Sequence, residues 1–231
     1  MVIEQSFFVE QKNKHLIETV MTSIQQMKQK QSEQPPRQRE APDVRQKLLI
    51  NAAMRSIAKF GYSGTTIETI CNEAKVSRGL INHHFGSKEE LIRQSYKALR
   101  DEWLAQTHGS LQGNYDTPED KLHAMIRVSF GPTMFKQEYL GIWAGFWSAI
   151  GKSQALRTLN RELFDKDREA YQTIFEDIAR LRGKAIYARR AALSIIALID
   201  GFWLEWCLDP KCFTAEEAEA ACLGFVAQTF A

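Results

Sequence analysis

Residues 65–85 read TTIETICNEAKVSRGLINHHF. Two short amphipathic segments flank Lys75-Val76, and Ile67, Ile70, Cys71, Ala74, Val76, Leu80 and Phe85 recur at the spacing that lets two helices share a small core. A helix of about eight residues, a tight turn and a second short helix with a polar outer face make a helix-turn-helix. Ser77 stands where it caps the second helix. The outward face of that helix offers Arg78, Gly79, Asn82 and His83, which suits a recognition helix whose first residues meet base edges. Gly79 allows the backbone close to a groove, where a larger side chain would hold it off. A metal site at His83 and His84 is not expected, because neighbours on a helix point about 100° apart.

Helix signals continue outward from this unit. Thr65-x-x-Glu68, Ser87-x-x-Glu90 and Thr214-x-x-Glu217 fit the capping box, and Asp43 and Thr117-Pro118 mark two further starts. Helices are expected at 44–60, 66–73, 78–84, 88–108, 118–130, 133–151, 154–181, 186–207 and 215–229, punctuated by Gly61, Gly64, Gly86, Gly109, Gly113 and Asp209-Pro210. Sustained period-two alternation is missing, so the fold class is all-α. Residues 28–42, rich in Gln, Pro and charge, read as a linker. Before them, Leu16, Ile17, Val20, Met21, Ile24 and Met27 make one stripe of an amphipathic helix near 10–28. The expected organisation is an N-terminal extension and linker at 1–42, a three-helix helix-turn-helix domain at 43–100, and a helical ligand-binding and dimerisation domain at 101–231.

The net charge of +2 over 231 residues conceals an asymmetry. Residues 43–100 hold ten basic and five acidic residues, whereas 101–231 hold fourteen and eighteen. A basic block beside an acidic remainder is expected when only one part meets a polyanion. The longest apolar run, residues 191–199, stops at Asp200, short of the roughly 20 residues of a membrane span, so no membrane insertion is expected. Glu4, Glu10, Lys12 and Lys14 interrupt any secretory signal, which points to the cytoplasm. The four cysteines form no ligand-spaced pair and read as reduced thiols. Nucleophile-elbow, zinc-protease, phosphate-loop and dinucleotide motifs are all missing, so neither an enzyme nor a cofactor is expected.

All five tryptophans follow residue 100. Tyr139, Trp143 and Trp147 share one helix face at i, i+4 and i+8, and Asp200, Trp203 and Trp206 fall within two turns of another helix. Indoles beside a carboxylate have the composition of a cage for a quaternary ammonium, although aromatic stripes at this spacing also serve as plain core.

Residues 45–100 resemble the DNA-binding domain of TetR-type transcriptional repressors. The likeness is carried by Ala58-Lys59-Phe60-Gly61-Tyr62, Thr65-Thr66-Ile67, Ala74-x-Val76-Ser77-x-Gly79 and Phe85-x-Ser87-Lys88-Glu89-x-Leu91. It implies that Thr65 or Thr66 and Lys88 sit on phosphates at helix N-termini, and that Arg78 and Asn82 reach base edges. Ser77, Gly79, His83 and His84 share that DNA-facing surface, with His83 nearer phosphate than base.

Residues 120–225 resemble the C-terminal domain of the BetI branch, the choline-responsive repressors of glycine betaine synthesis. Leu140-x-x-Trp143-x-x-Phe146-Trp147, Asp167-Arg168 and the stretch ALIDGxWL at 197–204 carry this likeness. It implies choline or a related small cation as effector, caged by Trp143, Trp147 and Trp203 with Asp200 as counter-charge; Tyr139, Phe146 and Trp206 complete the expected ligand-binding set. The family also implies a homodimer through small-residue helices near 186–207 and 215–229, set on near-palindromic double-stranded operator DNA. Effector binding is expected to tilt the 88–108 helix. A sensor of other apolar or cationic drugs is the alternative, and a purely architectural DNA binder is disfavoured by the large acidic domain.

Overall fold

The hydroxyl residues that mark helix starts are followed by helices in the computed structural model, which describes the backbone of residues 42–111 and 115–231. The elements are α1 (Pro42–Gly64), α2 (Ile67–Ala74), α3 (Arg78–Phe85), α4 (Lys88–Leu111), α5 (Pro118–Phe130), α6 (Gln137–Ile150), α7 (Gln154–Arg182), α8 (Ala188–Leu208) and α9 (Ala215–Thr229). The described residues contain no strand. The amphipathic helix expected near 10–28 and nearly all of the expected linker lie outside the described residues.

Thr214 and Glu217 form the full capping box of α9, and Thr117 accepts from the Asp120 N–H with Pro118 at the first turn of α5. Ser87 accepts from the Glu90 N–H, but Glu90 turns to Arg93 and Gln94 instead of reaching back. The box expected at Thr65 is displaced by one residue. Thr66 caps α2 and exchanges bonds with Thr69, while Thr65 is buried and its hydroxyl donates to the Gly61 carbonyl at 2.7 Å. The cause lies upstream: α1 breaks at Gly61, where φ is 65°, and the break presents a carbonyl to Thr65. Ser77 occupies the N-cap of α3 without a side-chain capping bond. The helix expected from 133 begins only at Gln137, because residues 131–136 form a turn in which the Phe135 N–H returns to the Gly131 carbonyl and Met134 and Phe135 enter the core.

Two hydrophobic clusters result. The smaller joins Leu49, Ala52 and Ala53 of α1 to Ile70, Cys71, Ile81, Phe85 and Leu91, and the larger fills the space among α4 to α9. α1 and α4 serve both. Met54 and Ile57 of α1, with Ile92, Tyr96, Leu99 and Trp103 of α4, belong to the larger cluster. The expected boundary at residue 100 thus falls inside α4, and residues 43–231 form one compact unit.

α8 is, by length and composition alone, apolar enough to cross a membrane, because the helix continues past Asp200 through Phe202, Trp203 and Leu204. Ile195, Ile199 and Trp203 turn into the core, whereas Leu193, Leu204 and Leu208 stay exposed.

At Gly145 the backbone of α6 packs directly on α1. A Cβ there would stand 2.6 Å from Ile57 Cγ2 and 3.0 Å from the Ile57 carbonyl oxygen. Helix backbone cannot yield as a flexible side chain can. Gly145→Ala is therefore expected to lower unfolding free energy by about 1–2 kcal/mol, after the gain in helix propensity is set against overpacking. Urea unfolding checks this, and an unchanged or raised midpoint contradicts it.

Candidate functional site

Lys75 closes α2 in the left-handed conformation, with φ of 56°, and the Val76 N–H returns to the Cys71 carbonyl at 3.0 Å. This closure fixes the angle at which α3 leaves α2. Ile81 and Phe85 are buried beneath α3, so Ser77, Arg78, Gly79, Asn82 and His83 are exposed on its outer side, with His84 half-buried against Phe85. The Arg78 guanidinium leans on Glu68 of α2 at 3.1 Å. Both side chains are exposed, so this pair orients Arg78 at little energetic cost to remove. A Cβ at Gly79 would meet nothing within 4 Å, so the glycine answers no packing need inside the molecule.

Two expected phosphate-binding residues stand differently from the sequence expectation. Thr65 is fully buried with its hydroxyl committed to Gly61, so the exposed cap Thr66 is the hydroxyl that faces outward. Lys88, at the first residue of α4, is half-buried: its ammonium donates to the Thr65 carbonyl at 3.2 Å and lies 5.6 Å from the Tyr62 ring centre. It ties the start of α4 to the start of α2.

The second site is a cavity of about 230 Å³ in the larger cluster. α4 supplies Tyr96, Arg100 and Trp103; α6 supplies Trp143 and Trp147; α7 supplies Asn160, Phe164, Asp167 and Tyr171; α8 supplies Ile196, Ile199, Asp200 and Trp203. Trp203 is 2% exposed and its indole N–H donates to the Ser129 carbonyl at 3.0 Å, which holds the ring as a fixed wall. Trp143 packs against Trp203 and Trp147 with ring centres 5.8 and 6.2 Å apart. The Tyr96 hydroxyl donates to Asn160 at 2.6 Å and ties α4 to α7 across the cavity.

A charge already occupies part of this aromatic enclosure. The Arg100 guanidinium carbon lies 5.2 Å from the Trp103 ring centre and 5.6 Å from that of Trp143, close enough for cation–π attraction. Arg100 forms an ion pair with Asp167, and the two are 8% and 5% exposed. Asp200 is exposed, lines the cavity and forms no ion pair among the described residues. Although the residue is exposed, desolvation by the surrounding helices pushes its carboxyl up to about 6, against the opposing pull of Arg100. With Asp200 ionised, the three charges sum to one negative charge in an aromatic enclosure.

Trp143, Trp147, Asp200 and Trp203 of the expected ligand-binding set reach the cavity, and Tyr139, Phe146 and Trp206 do not. Tyr139 lies a turn before Trp143 and backs the Trp143 and Trp203 rings from behind. Phe146 turns toward Tyr96 at 5.2 Å, and Trp206 packs on Phe135 at 4.6 Å, rotated away from Asp200 and Trp203 on α8. Sequence reasoning missed the roles of Arg100, Asn160, Asp167 and Tyr171. Asn160, Asp167 and Tyr171 lie on one face of α7 with Phe164, and polar residues on a core-facing stripe are the signal that could have revealed them.

Comparison with known proteins agrees with this geometry. Residues 49–94 match the bacterial regulatory proteins of the tetR family, and residues 118–231 match the C-terminal domain of BetI-type transcriptional repressors. The HTH-type transcriptional regulator BetI of Burkholderia mallei is 32% identical over 167 residues, covering 72% of this chain and 83% of that protein. A solved regulator from Pseudomonas aeruginosa is 30% identical with a TM-score of 0.78, covering 83% of this chain and 93% of its own. A regulator from Saccharomonospora viridis, solved in complex with choline, shares the fold at 17% identity and a TM-score of 0.69, covering 79% and 95%.

The raised carboxyl of Asp200 has a thermodynamic sign. The folded chain holds its proton up to about pH 6, while an unfolded aspartate releases it near pH 4, so folding takes up a proton between these values. Stability contributed by this group therefore falls as pH rises from about 4 to 6 and then levels off. Asp200→Asn is expected to raise the unfolding midpoint at pH 8 and to leave it nearly unchanged at pH 4. A midpoint lowered at pH 8 contradicts the assignment.

Proposed function

Because the chain belongs to the TetR family of bacterial regulatory proteins and carries the C-terminal domain of BetI-type transcriptional repressors, we propose that it holds double-stranded operator DNA as a homodimer until choline or a related quaternary ammonium fills its aromatic cavity. It is a transcriptional regulator and not an enzyme. The observation that carries the effector reading is the unpaired Asp200 facing three clustered indoles. Each accessible ring face attracts a desolvated cation by about 0.5–2 kcal/mol, and the carboxylate supplies the compensating charge. A cavity of about 230 Å³ suits a small cation better than the bulky compounds of a drug sensor. The choline complex of the Saccharomonospora viridis regulator supports the same reading, and control of glycine betaine synthesis in the cytoplasm is the corresponding role.

On DNA, α3 is the recognition helix. Arg78 and Asn82 read base edges, Thr66 and His83 meet phosphate, and Gly79 brings the backbone to the groove. The exposed Leu193, Ala197, Gly201, Leu204 and Leu208 of α8 and Ala221 and Ala227 of α9 form the face that a second copy covers. Covering that face also accounts for the apolar composition of α8 without a bilayer. Two recognition helices then lie about one DNA turn, roughly 34–36 Å, apart.

α4 links the two sites. Its first residue, Lys88, is tied beneath α2, and its Tyr96, Arg100 and Trp103 form one cavity wall. A ligand that displaces this wall moves the head.

Gly79→Ala separates a DNA role from a structural one. Against a duplex selected by the protein from a random pool, affinity is expected to fall by roughly tenfold to a hundredfold, the scale of one lost base contact. Thermal stability should hold or rise by up to about 1 kcal/mol, since alanine favours the helix. Unaltered operator affinity contradicts the docking of α3.

A further inference from the structure

Polar atoms that proteins bury are nearly always satisfied, so a cluster of unsatisfied ones around a cavity needs an explanation. Arg100 Nε and Nη2, Trp143 Nε1, Asp167 Oδ1 and Tyr171 Oη are fully buried, belong to residues that line the cavity, and have no hydrogen-bond partner. The Arg100–Asp167 ion pair sets Nη2 against Oδ2 as an electrostatic contact and not as a hydrogen bond, and Nε on one partner and Oδ1 on the other remain a free donor and a free acceptor. Both residues are more than nine-tenths buried. The pair is therefore an incomplete hydrogen-bonding unit next to the cation-binding wall.

We propose that Arg100 and Asp167 read a hydroxyl group on the effector, so that the cavity selects a hydroxyalkyl quaternary ammonium over alkyl or carboxylate analogues. The inference rests on the proposed effector reading and extends it to the other end of the ligand. A hydroxyl both accepts and donates, so it takes the Arg100 Nε hydrogen and gives its own to Asp167 Oδ1. An alkyl group does neither and leaves donor and acceptor unsatisfied in the closed site. A carboxylate only accepts, so it meets Arg100 while opposing Asp167, and it adds negative charge where Asp200 and Asp167 already outnumber Arg100. Charge balance gives the same preference, since a monocation neutralises the cavity and a zwitterion does not. Sites built around a hydroxyl reject analogues that lack it far more strongly than apolar pockets reject a missing methylene.

The test is calorimetric titration of the full chain with choline, with propyltrimethylammonium, in which a methyl replaces the hydroxyl, and with glycine betaine. Choline is expected to bind at least tenfold more tightly than either. Replacing the whole pair, Arg100→Met with Asp167→Leu, leaves no uncompensated charge and should bring choline and propyltrimethylammonium within about twofold of each other. Should that variant fail to fold, the wild-type comparison decides alone. Equal binding of choline and propyltrimethylammonium by the wild type overturns the hydroxyl assignment while leaving the cation reading intact. Betaine binding as tightly as choline, or a tenfold preference kept in the folded double variant, also overturns it. Failure of all three to bind overturns the effector reading and this inference together.

Discussion

A buried guanidinium is costly unless a carboxylate meets it, and Arg100 of α4 is buried. Much of the larger cluster is arranged around that cost. Asp167 must face it from α7, and Trp103 and Trp143 must present ring faces to it. Helices that meet around a planar cation cannot interdigitate as closely as leucine-lined ones, and a cavity is left between them. The placement on α4 gives the cavity its consequence, because the same helix begins beside the recognition unit. A charge that is structurally expensive is thus set on the helix that joins the cavity to the helix-turn-helix.

Coupling depends on how firmly the head is attached. α1 and α4 each carry one face into the small cluster and another into the large one, so the head has no separate flexible hinge at residue 100. At Gly145 the α6 backbone touches Ile57 of α1, two residues from Trp143 and Trp147 of the cavity wall. Two connections therefore lead from the cavity to the head: directly through α4, and through α6 to α1. A shift of either wall has nowhere to dissipate within a close-packed interior.

The legibility of these features in the sequence follows physical range. Capping at Thr214 and Thr117 is decided within four residues, and both helices start as expected. At Thr65-Thr66 two adjacent hydroxyls fit the same pattern, and the choice was made by the Gly61 carbonyl through a backbone break that the pattern does not contain. Helical spacing, i and i+4 for Trp143 and Trp147 and i and i+3 for Asp200 and Trp203, brought the first pair to one wall and the second to another. The same spacing could not tell a ring that lines a cavity from one that backs it, hence Tyr139, Phe146 and Trp206. The Arg100–Asp167 pair joins residues 67 positions apart on different helices, and no local period encodes it. The gathering of Trp143, Trp147 and Trp203 was legible, and the protein's own cation among the indoles was not.

In the proposed function an effector in the cavity and DNA on α3 oppose one another through α4. By linkage each must weaken the other by the same factor, typically about 5–150-fold. The direct measurement is a closed cycle: the choline dissociation constant with and without saturating operator duplex, and the operator dissociation constant with and without saturating choline. Equal weakening on both sides is the predicted result. An operator affinity that does not change when choline is bound contradicts the account.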